Sequence, residues 1–178
     1  MSRWRPGDRR PDRASMLRVN QAGEYGATRI YAGQLAVLRP NCPEAKLIAR
    51  MAAQEQRHLK RFNALMAERR GRPTALQPFW DVAGFALGAA TALISEKAAL
   101  ACTDAVETVI DKHYGRQLDQ LGEEDPELAS DIAQFRAEEV EHRDTARDAG
   151  AASAPGYPIL TAAIRAGCRV AIELSKRI

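Results

Sequence analysis

Between residues 128 and 146 the chain places apolar side chains at Leu128, Ile132, Phe135 and Ala146, in steps of four and three that keep them on one face of a helix. The same stepping passes through positions 139 and 142, where it meets Glu139 and His142. A carboxylate and an imidazole in the middle of a core-facing stripe are costly to bury unless something binds them. The placement recurs: Leu47, Met51, Glu55, His58, Phe62 and Leu65 form a second stripe with Glu-x-x-His at its centre. Two further stripes carry one interrupting carboxylate each. Glu24 precedes Ala27, Tyr31, Leu35 and Leu38, and Glu107 lies between Leu100 and Thr103 on one side and Ile110, Tyr114, Leu118 and Leu121 on the other. The order is Glu, Glu-x-x-His, Glu, Glu-x-x-His, with about 31 residues from Glu24 to Glu55 and about 32 from Glu107 to Glu139. The chain therefore reads as two similar halves.

No segment alternates with period two, so the fold class is all-α. Ser15 is the expected cap of a first helix that runs to Leu38 and ends before Pro40 and Pro43. A second helix runs from Glu44 to Arg70 and stops at Gly71. A third helical region spans residues 79–121, ahead of Gly122. Asp125-Pro126-Glu127 starts the next helix with a cap, a proline at the first helical position and an acid in the first turn. A last helix follows Pro155 and Pro158. Glu24 and Glu55 lie at similar distances from a turn near Asn41, as Glu107 and Glu139 do from a turn near Glu123. At about 1.5 Å rise per residue, each pair sits some 20–25 Å from its turn, so two packed hairpins bring all the polar groups to one level.

Four carboxylates and two imidazoles inside one bundle suit two divalent first-row metals, iron first and manganese second given the hard oxygen donors. The set matches the donors of ferritin-like di-iron and di-manganese bundles, a Glu from each of two helices and Glu-x-x-His from each of the others. The expected fold is a ferritin-like four-helix bundle with additional apolar or amphipathic helical segments. The expected ligands are Glu24, Glu55, His58, Glu107, Glu139 and His142, with Glu55 and Glu139 bridging. Glu138 and Glu141 fall off the stripe and are expected at the solvent or behind the ligands.

Composition excludes several classes. A net charge of +3 with interleaved acids and bases, and no basic-aromatic pattern, argues against nucleic acid as a partner. Cys42, Cys102 and Cys168 form no C-x-x-C pair and fit a reducing compartment. Residues 1–14 read as a disordered Arg-rich arm and residues 15–178 as one domain. Residues 82–95 carry no charge, yet as a helix they span only about 21 Å, short of a roughly 30 Å hydrocarbon core. The last helix sets Ile159, Leu160, Ala163, Ile164, Gly167, Ala171 and Leu174 against Arg165, Arg169, Lys176 and Arg177, the pattern of a helix lying in a membrane interface.

The run Asn20-Gln21-Ala22-Gly23-Glu24-Tyr25-Gly26-Ala27, with Arg29-Ile30-Tyr31-Ala32-Gly33-Gln34 after it, resembles the demethoxyubiquinone hydroxylase family. So do Gly84-Phe85-Ala86-Leu87-Gly88, Ala101-Cys102-Thr103 through Glu107, Glu138-Glu139-Val140-Glu141-His142, and Ala166-Gly167-Cys168-Arg169-Val170-Ala171-Ile172. The likeness runs collinearly from about residue 15 to the end and departs at Asn20-Gln21, where the family carries Asp-His. It implies a di-iron monooxygenase of ubiquinone biosynthesis. Such an enzyme hydroxylates the ring of a polyprenylated demethoxyquinone with O₂, using NADH as the ultimate reductant. It further implies two iron ions (Fe²⁺/Fe³⁺) on the six residues above, a lipid-binding accessory protein as partner, and room for a homo-oligomer. The implied location is a membrane surface, either the cytoplasmic face of a bacterial inner membrane or the matrix face of the mitochondrial one.

Two rivals remain from the residues alone: ferritin-like iron storage without hydroxylase activity, and a membrane-bound protein whose metals are structural. Gly23, Gly26 and Gly33 suit either close approach of a flat ring or close helix packing. Tyr114 is expected in the core or on a ligand, and His113 at the surface or behind the ligands. Asp104, Asp111 and Asp144 are expected to orient an imidazole or to sit at a solvated edge.

Overall fold

The computed structural model describes residues 12–178; residues 1–11, most of the Arg-rich arm, lie outside them. Six α-helices and one short 3₁₀ turn, with no strand, make up the described residues: α1 Arg13–Val37, α2 Pro43–Glu68, α3 Gln77–Ile94, α4 Glu96–Leu121, α5 Pro126–Asp148 and α6 Tyr157–Arg177. Side chains cap four of the starts by accepting a hydrogen bond from a backbone N–H three residues on. Asp12 takes Ser15 N at 3.0 Å, Ser95 takes Ala98 N at 3.0 Å, Asp125 takes Leu128 N at 3.2 Å, and the Cys42 sulfur takes Ala45 N at 3.4 Å. Ser15 is thus not the first cap. Asp12 holds that place, and Arg13 and Ala14 already belong to α1. The long third region is two helices, because Ser95 is extended (φ −177°, ψ 163°) and ends α3 while capping α4.

The bundle is a ferritin-like arrangement of two hairpins, α1/α2 and α4/α5, whose turns point to opposite ends. One apolar cluster, with Leu38, Ala45, Ile48, Met51, Leu100 and Ala146, fills the end that holds the α1–α2 turn. A second, with Leu17, Phe62, Leu65, Leu121, Leu128 and Phe135, fills the end that holds the α4–α5 turn. Since α2 ends at the second cluster and α4 starts at the first, the chain must cross the whole bundle between them. Helix α3 makes that crossover. It lies so close on α1 that a Cβ on Gly33 would collide with the Phe85 carbonyl, and one on Gly88 with the Ile30 carbonyl. Glycine is required at both positions for packing. Gly23 and Gly26 differ, because a Cβ there meets nothing within 4 Å.

Helices α3 and α6 cover α1 and α4 from outside and leave an apolar groove between them. Helix α6 buries Thr161, Ile164, Ile172 and Ser175 and leaves much of the apolar face read as interfacial at the surface, with Ile159 80 % exposed. Phe79, Val82, Leu93 and Val170 are also more than half exposed. No helix among the described residues is long and apolar enough to cross a membrane.

Candidate metal centre

Glu24 on α1, Glu55 and His58 on α2, Glu107 on α4, and Glu139 and His142 on α5 meet in the layer between the two apolar clusters, each only 1–3 % exposed. They form two donor sets. Glu24, Glu55, His58 and Glu139 make one, and Glu55, Glu107, Glu139 and His142 the other, with ligand atoms in each set within 4.8 Å of one another. Glu55 and Glu139 belong to both, the positions expected to bridge, and the sets pair Glu24 with His58 and Glu107 with His142. Glu139 divides its oxygens between the imidazoles, Oε1 at 3.1 Å from His58 Nδ1 and Oε2 at 3.1 Å from His142 Nδ1. Glu24 Oε2 lies 3.4 Å from His58 Nδ1, and Glu55 Oε1 lies 3.2 Å from His142 Nδ1. The latter contact lacks hydrogen-bond alignment, so Glu55 Oε1 is a buried carboxylate oxygen without a partner.

The far ring nitrogens explain the orientation of the imidazoles. His58 Nε2 is 3.0 Å from Glu138 Oε2, and His142 Nε2 is 3.0 Å from Gln54 Oε1. Both partners are acceptors, so each Nε2 donates outward while each Nδ1 faces the carboxylates, donating to Glu139 when protonated and open to a metal when not. Gln54 Nε2 donates to Glu138 Oε2 at 3.4 Å and joins the two supports. Of this pair Glu138 takes one of its two expected places, behind a ligand, whereas Gln54 was missed: it is one residue before Glu55 and carries no signal of its own. Asp104 and Asp111 do not take that role. Asp104 is fully buried and binds Arg147, with Tyr157 as a further donor, and Asp111 binds Arg136 and Arg143. Asp144 pairs with Arg143, and Glu141 is exposed.

Two tyrosines complete the layer with crossed symmetry. Tyr31 donates to Glu107 Oε1 at 3.2 Å, and Tyr114 donates to Glu24 Oε1. Each tyrosine stands two helical turns after one single glutamate and serves the other. His113 is buried outside the donor sets, at the edge of the small void among the carboxylates and 2.9 Å from the Gln117 amide, which is itself doubly bonded to Asn20. Burial lowers the His113 pKa to about 4. Asn20 and Gln21 stay outside the donor sets, with Gln21 donating to Asn63 at 3.2 Å.

The electrostatics are those of a site made for cations. Burial, reinforced by Glu139 and Glu24, pushes Glu55 and Glu107 well above the usual carboxylate range. Burial works upward on Glu139 as well, but the hydrogen bonds from His142 and His58 outweigh it and hold that carboxylate low. Burial works downward on His58, yet Glu139 and Glu24 raise it to about 10. Without cations the layer therefore keeps protons on carboxylates and on an imidazole, and divalent metals would displace them. The partnerless Glu55 oxygen, the two sets of four donors and the aimed Nδ1 atoms fit a pair of first-row metals.

Above this layer lies a cavity of about 480 Å³, lined by α1, α3, α4 and α6. Val19, Gly23, Ala27, Val106, Ile110 and Ile172 line both this cavity and a small void of about 30 Å³ among the carboxylates. Gly23 and Gly26 face the cavity, whereas Gly33 serves packing.

Comparison with known proteins identifies the family. The family described as "Ubiquinone biosynthesis protein COQ7" matches residues 12–175. The 3-demethoxyubiquinol 3-hydroxylase of Rhodospirillum rubrum is 52% identical over 177 residues, covering 97% of this chain and 82% of that protein. The mitochondrial NADPH-dependent 3-demethoxyubiquinone 3-hydroxylase of Mus musculus is 54% identical over 166 residues, covering 91% and 76%. The mitochondrial 5-demethoxyubiquinone hydroxylase of Saccharomyces cerevisiae is 45% identical over 179 residues, covering 92% and 77%. With a match that spans both hairpins, the crossover and α6, this chain belongs to the COQ7 family of ubiquinone biosynthesis proteins.

Proposed function

We propose that the chain is a di-iron monooxygenase that hydroxylates the ring of a polyprenylated demethoxyquinone. The observation that carries this reading is the pair of donor sets sharing Glu55 and Glu139 directly beneath an apolar cavity. Glu24, Glu55, His58 and Glu139 would hold one iron, and Glu55, Glu107, Glu139 and His142 the other. Bound there, the irons would supply the reduction of O₂, one oxygen atom entering the ring as hydroxyl and the other leaving as water at the expense of two electrons and two protons. The chain's own residues do the rest. Glu138 and Gln54 keep both Nδ1 atoms aimed, Tyr31 and Tyr114 hold the outer carboxylates, and the flanking apolar clusters exclude bulk water from the layer.

The cavity suits the substrate in kind, with an apolar lining for a prenyl tail and two open glycine faces, Gly23 and Gly26, where a flat ring can lie. The exposed apolar side chains lie on α3 and α6, two of the helices that wall the groove, and we assign them to the surface of a bilayer, from which such a substrate must come. On this reading the protein is peripheral, with residues 15–178 as one catalytic unit. The resemblance pointed to NADH, while the mitochondrial relatives are named for NADPH. Both deliver the same two electrons, and side-by-side turnover assays choose between them. Iron storage has no support here, since α3 and α6 are apolar outside and the similar proteins carry hydroxylase names.

The test is iron-loaded, reduced protein given a demethoxyquinone and isotopically labelled O₂. A product heavier by one labelled oxygen is expected. Absence of product across several tail lengths, from protein loaded with two irons, refutes the enzyme reading.

A further inference from the structure

The cavity above the metal layer is almost wholly apolar. Of the side chains lining it, only Trp80, Cys168 and Ser175 carry a hydrogen-bond donor, and the thiol is a weak one. Trp80 on α3 and Ser175 on α6 face each other across the groove, and the indole Nε1–H donates to Ser175 Oγ at 3.0 Å. That bond uses an acceptor site of the hydroxyl and leaves its proton free. The other buried hydroxyls on these helices turn their protons back to their own backbone, Thr91 to the Leu87 and Gly88 carbonyls and Thr161 to the Tyr157 carbonyl. Ser175 does not: among the described residues its proton has no acceptor, although the residue is only 3 % exposed. A hydroxyl that accepts from an indole is also a stronger donor, because the two bonds polarise each other.

Its place in the groove gives the donor a task. Ile172, which lines both the cavity and the void among the carboxylates, stands about one helical turn (~5.4 Å) before Ser175. Val19, on the opposite wall, is likewise common to both spaces. The wall that the cavity shares with the void runs from Val19 to Ala27 on α1 and includes Val106 and Ile110 on α4, and the Trp80–Ser175 pair stands about one helical turn beyond its Val19–Ile172 end. Beyond its other end, Ile30, Leu87, Leu160 and Ile164 offer no polar side chain.

We propose that Ser175, its oxygen fixed by the Trp80 indole, donates a hydrogen bond to a ring oxygen of the quinone and so determines which ring edge faces the carboxylates. This rests on the quinone reading above and adds to it a residue that recognises the ring as distinct from the tail. A ring anchored at Ser175 lies over Val19, Gly23 and Ile172, and its tail runs out along the apolar half of the groove.

The experiment is titration calorimetry on full-length, metal-loaded protein with two probes, a tail-free methoxy-methyl-1,4-benzoquinone and a prenyl hydrocarbon without oxygen. Ser175→Ala is expected to weaken the benzoquinone about tenfold and leave the hydrocarbon unchanged. Trp80→Phe, which keeps an aromatic ring and removes the N–H, is expected to weaken the benzoquinone about threefold. In turnover, Ser175→Ala should raise KM more than it lowers kcat, with metal content and helicity as in the parent. Equal benzoquinone affinity in parent and Ser175→Ala overturns the proposal and leaves the quinone reading intact. Equal weakening of both probes also overturns it, by reducing Ser175 to a packing role. If the parent binds neither probe, the quinone reading falls and this inference with it.

Discussion

Replacing Glu138 and Glu139 one at a time should separate a shared ligand from a support. Glu139 gives one oxygen to the neighbourhood of each histidine and belongs to both donor sets, so Glu139→Ala removes a donor from each metal at once. It also leaves His58 and His142 facing one another across a gap, with Glu24 and Glu55 as their remaining carboxylate neighbours. We expect this variant to retain no tightly bound pair. Of the two imidazoles Glu138 touches only His58, through Nε2, its other partners being Gln54, Arg57 and Gln134, and its loss frees that ring without removing an atom of either donor set. Outer partners of this kind change metal affinity by about 10–100-fold, roughly 1.4–2.7 kcal/mol. The effect should fall on one site, because His142 is held by Gln54. The assay is anaerobic titration with Fe(II) or Mn(II) followed by metal analysis. The parent should bind two ions, Glu138→Ala one at parental affinity and one weakened, and Glu139→Ala at most one weakly. Two tight ions in Glu139→Ala, or equal weakening of both sites in Glu138→Ala, would refute the assignment of roles.

The pH dependence of the metal-free protein follows from its raised groups. Glu55 and Glu107 favour protonation in the folded state, so their contribution is complete below the ordinary glutamate range and is lost as pH rises through their raised values. His58 acts in the same direction and loses its contribution as pH rises through about 10. Thermal melts should therefore show metal-free protein weakening from mildly acidic to mildly basic pH while the gain on adding Mn(II) grows; a gain that shrinks over that range contradicts the protonated layer. Gly26→Leu should fill the cavity, lower quinone affinity at least tenfold and leave two metals bound, since a Cβ there meets nothing within 4 Å. Gly33→Ala should instead lower stability by about 1–3 kcal/mol, measured by urea unfolding, because it drives a methyl into the Phe85 carbonyl. Leu93→Glu and Ile159→Glu, at 74 % and 80 % exposure, should reduce vesicle binding in flotation without changing metal content; normal flotation of both would remove the membrane role from these faces.

The ligand layer was legible because burial and polarity conflict within each stripe. Glu55 and His58 or Glu139 and His142 in a run of apolar residues admit few explanations, and the spacing of the two halves shows which residues meet. The supports were legible only in part. Glu138 was expected at the solvent or behind the ligands, but Gln54 lies where a polar residue is ordinary, and only the packing of α2 against α5 turns the two toward the imidazoles. Tyr31 could have been read, since it repeats the position of Tyr114 in the other half, but each serves the glutamate of the other hairpin, and that crossing depends on tertiary structure. The break at Ser95 escaped because serine is tolerated within helices, and its capping role depends on an extended backbone that composition does not encode. Helix α6 carries apolar residues on more than one face: the face read as interfacial stays largely exposed, while Thr161 and Ser175, two small polar residues that a hydrophobic stripe passes over, turn into the bundle with Ile164 and Ile172.

The two apolar clusters stand at either end of the bundle, and neither includes a ligand. The scaffold is thus held like an arch on two piers, with the two donor sets, and any ions they hold, in the span. Zinc-dependent finger domains are built the other way, with the ion as keystone, and collapse without it. Here the load can be taken out and another set down while both piers stand. Substitution of spectroscopically useful ions such as cobalt or manganese should therefore proceed in folded protein, by dialysis, with no refolding step.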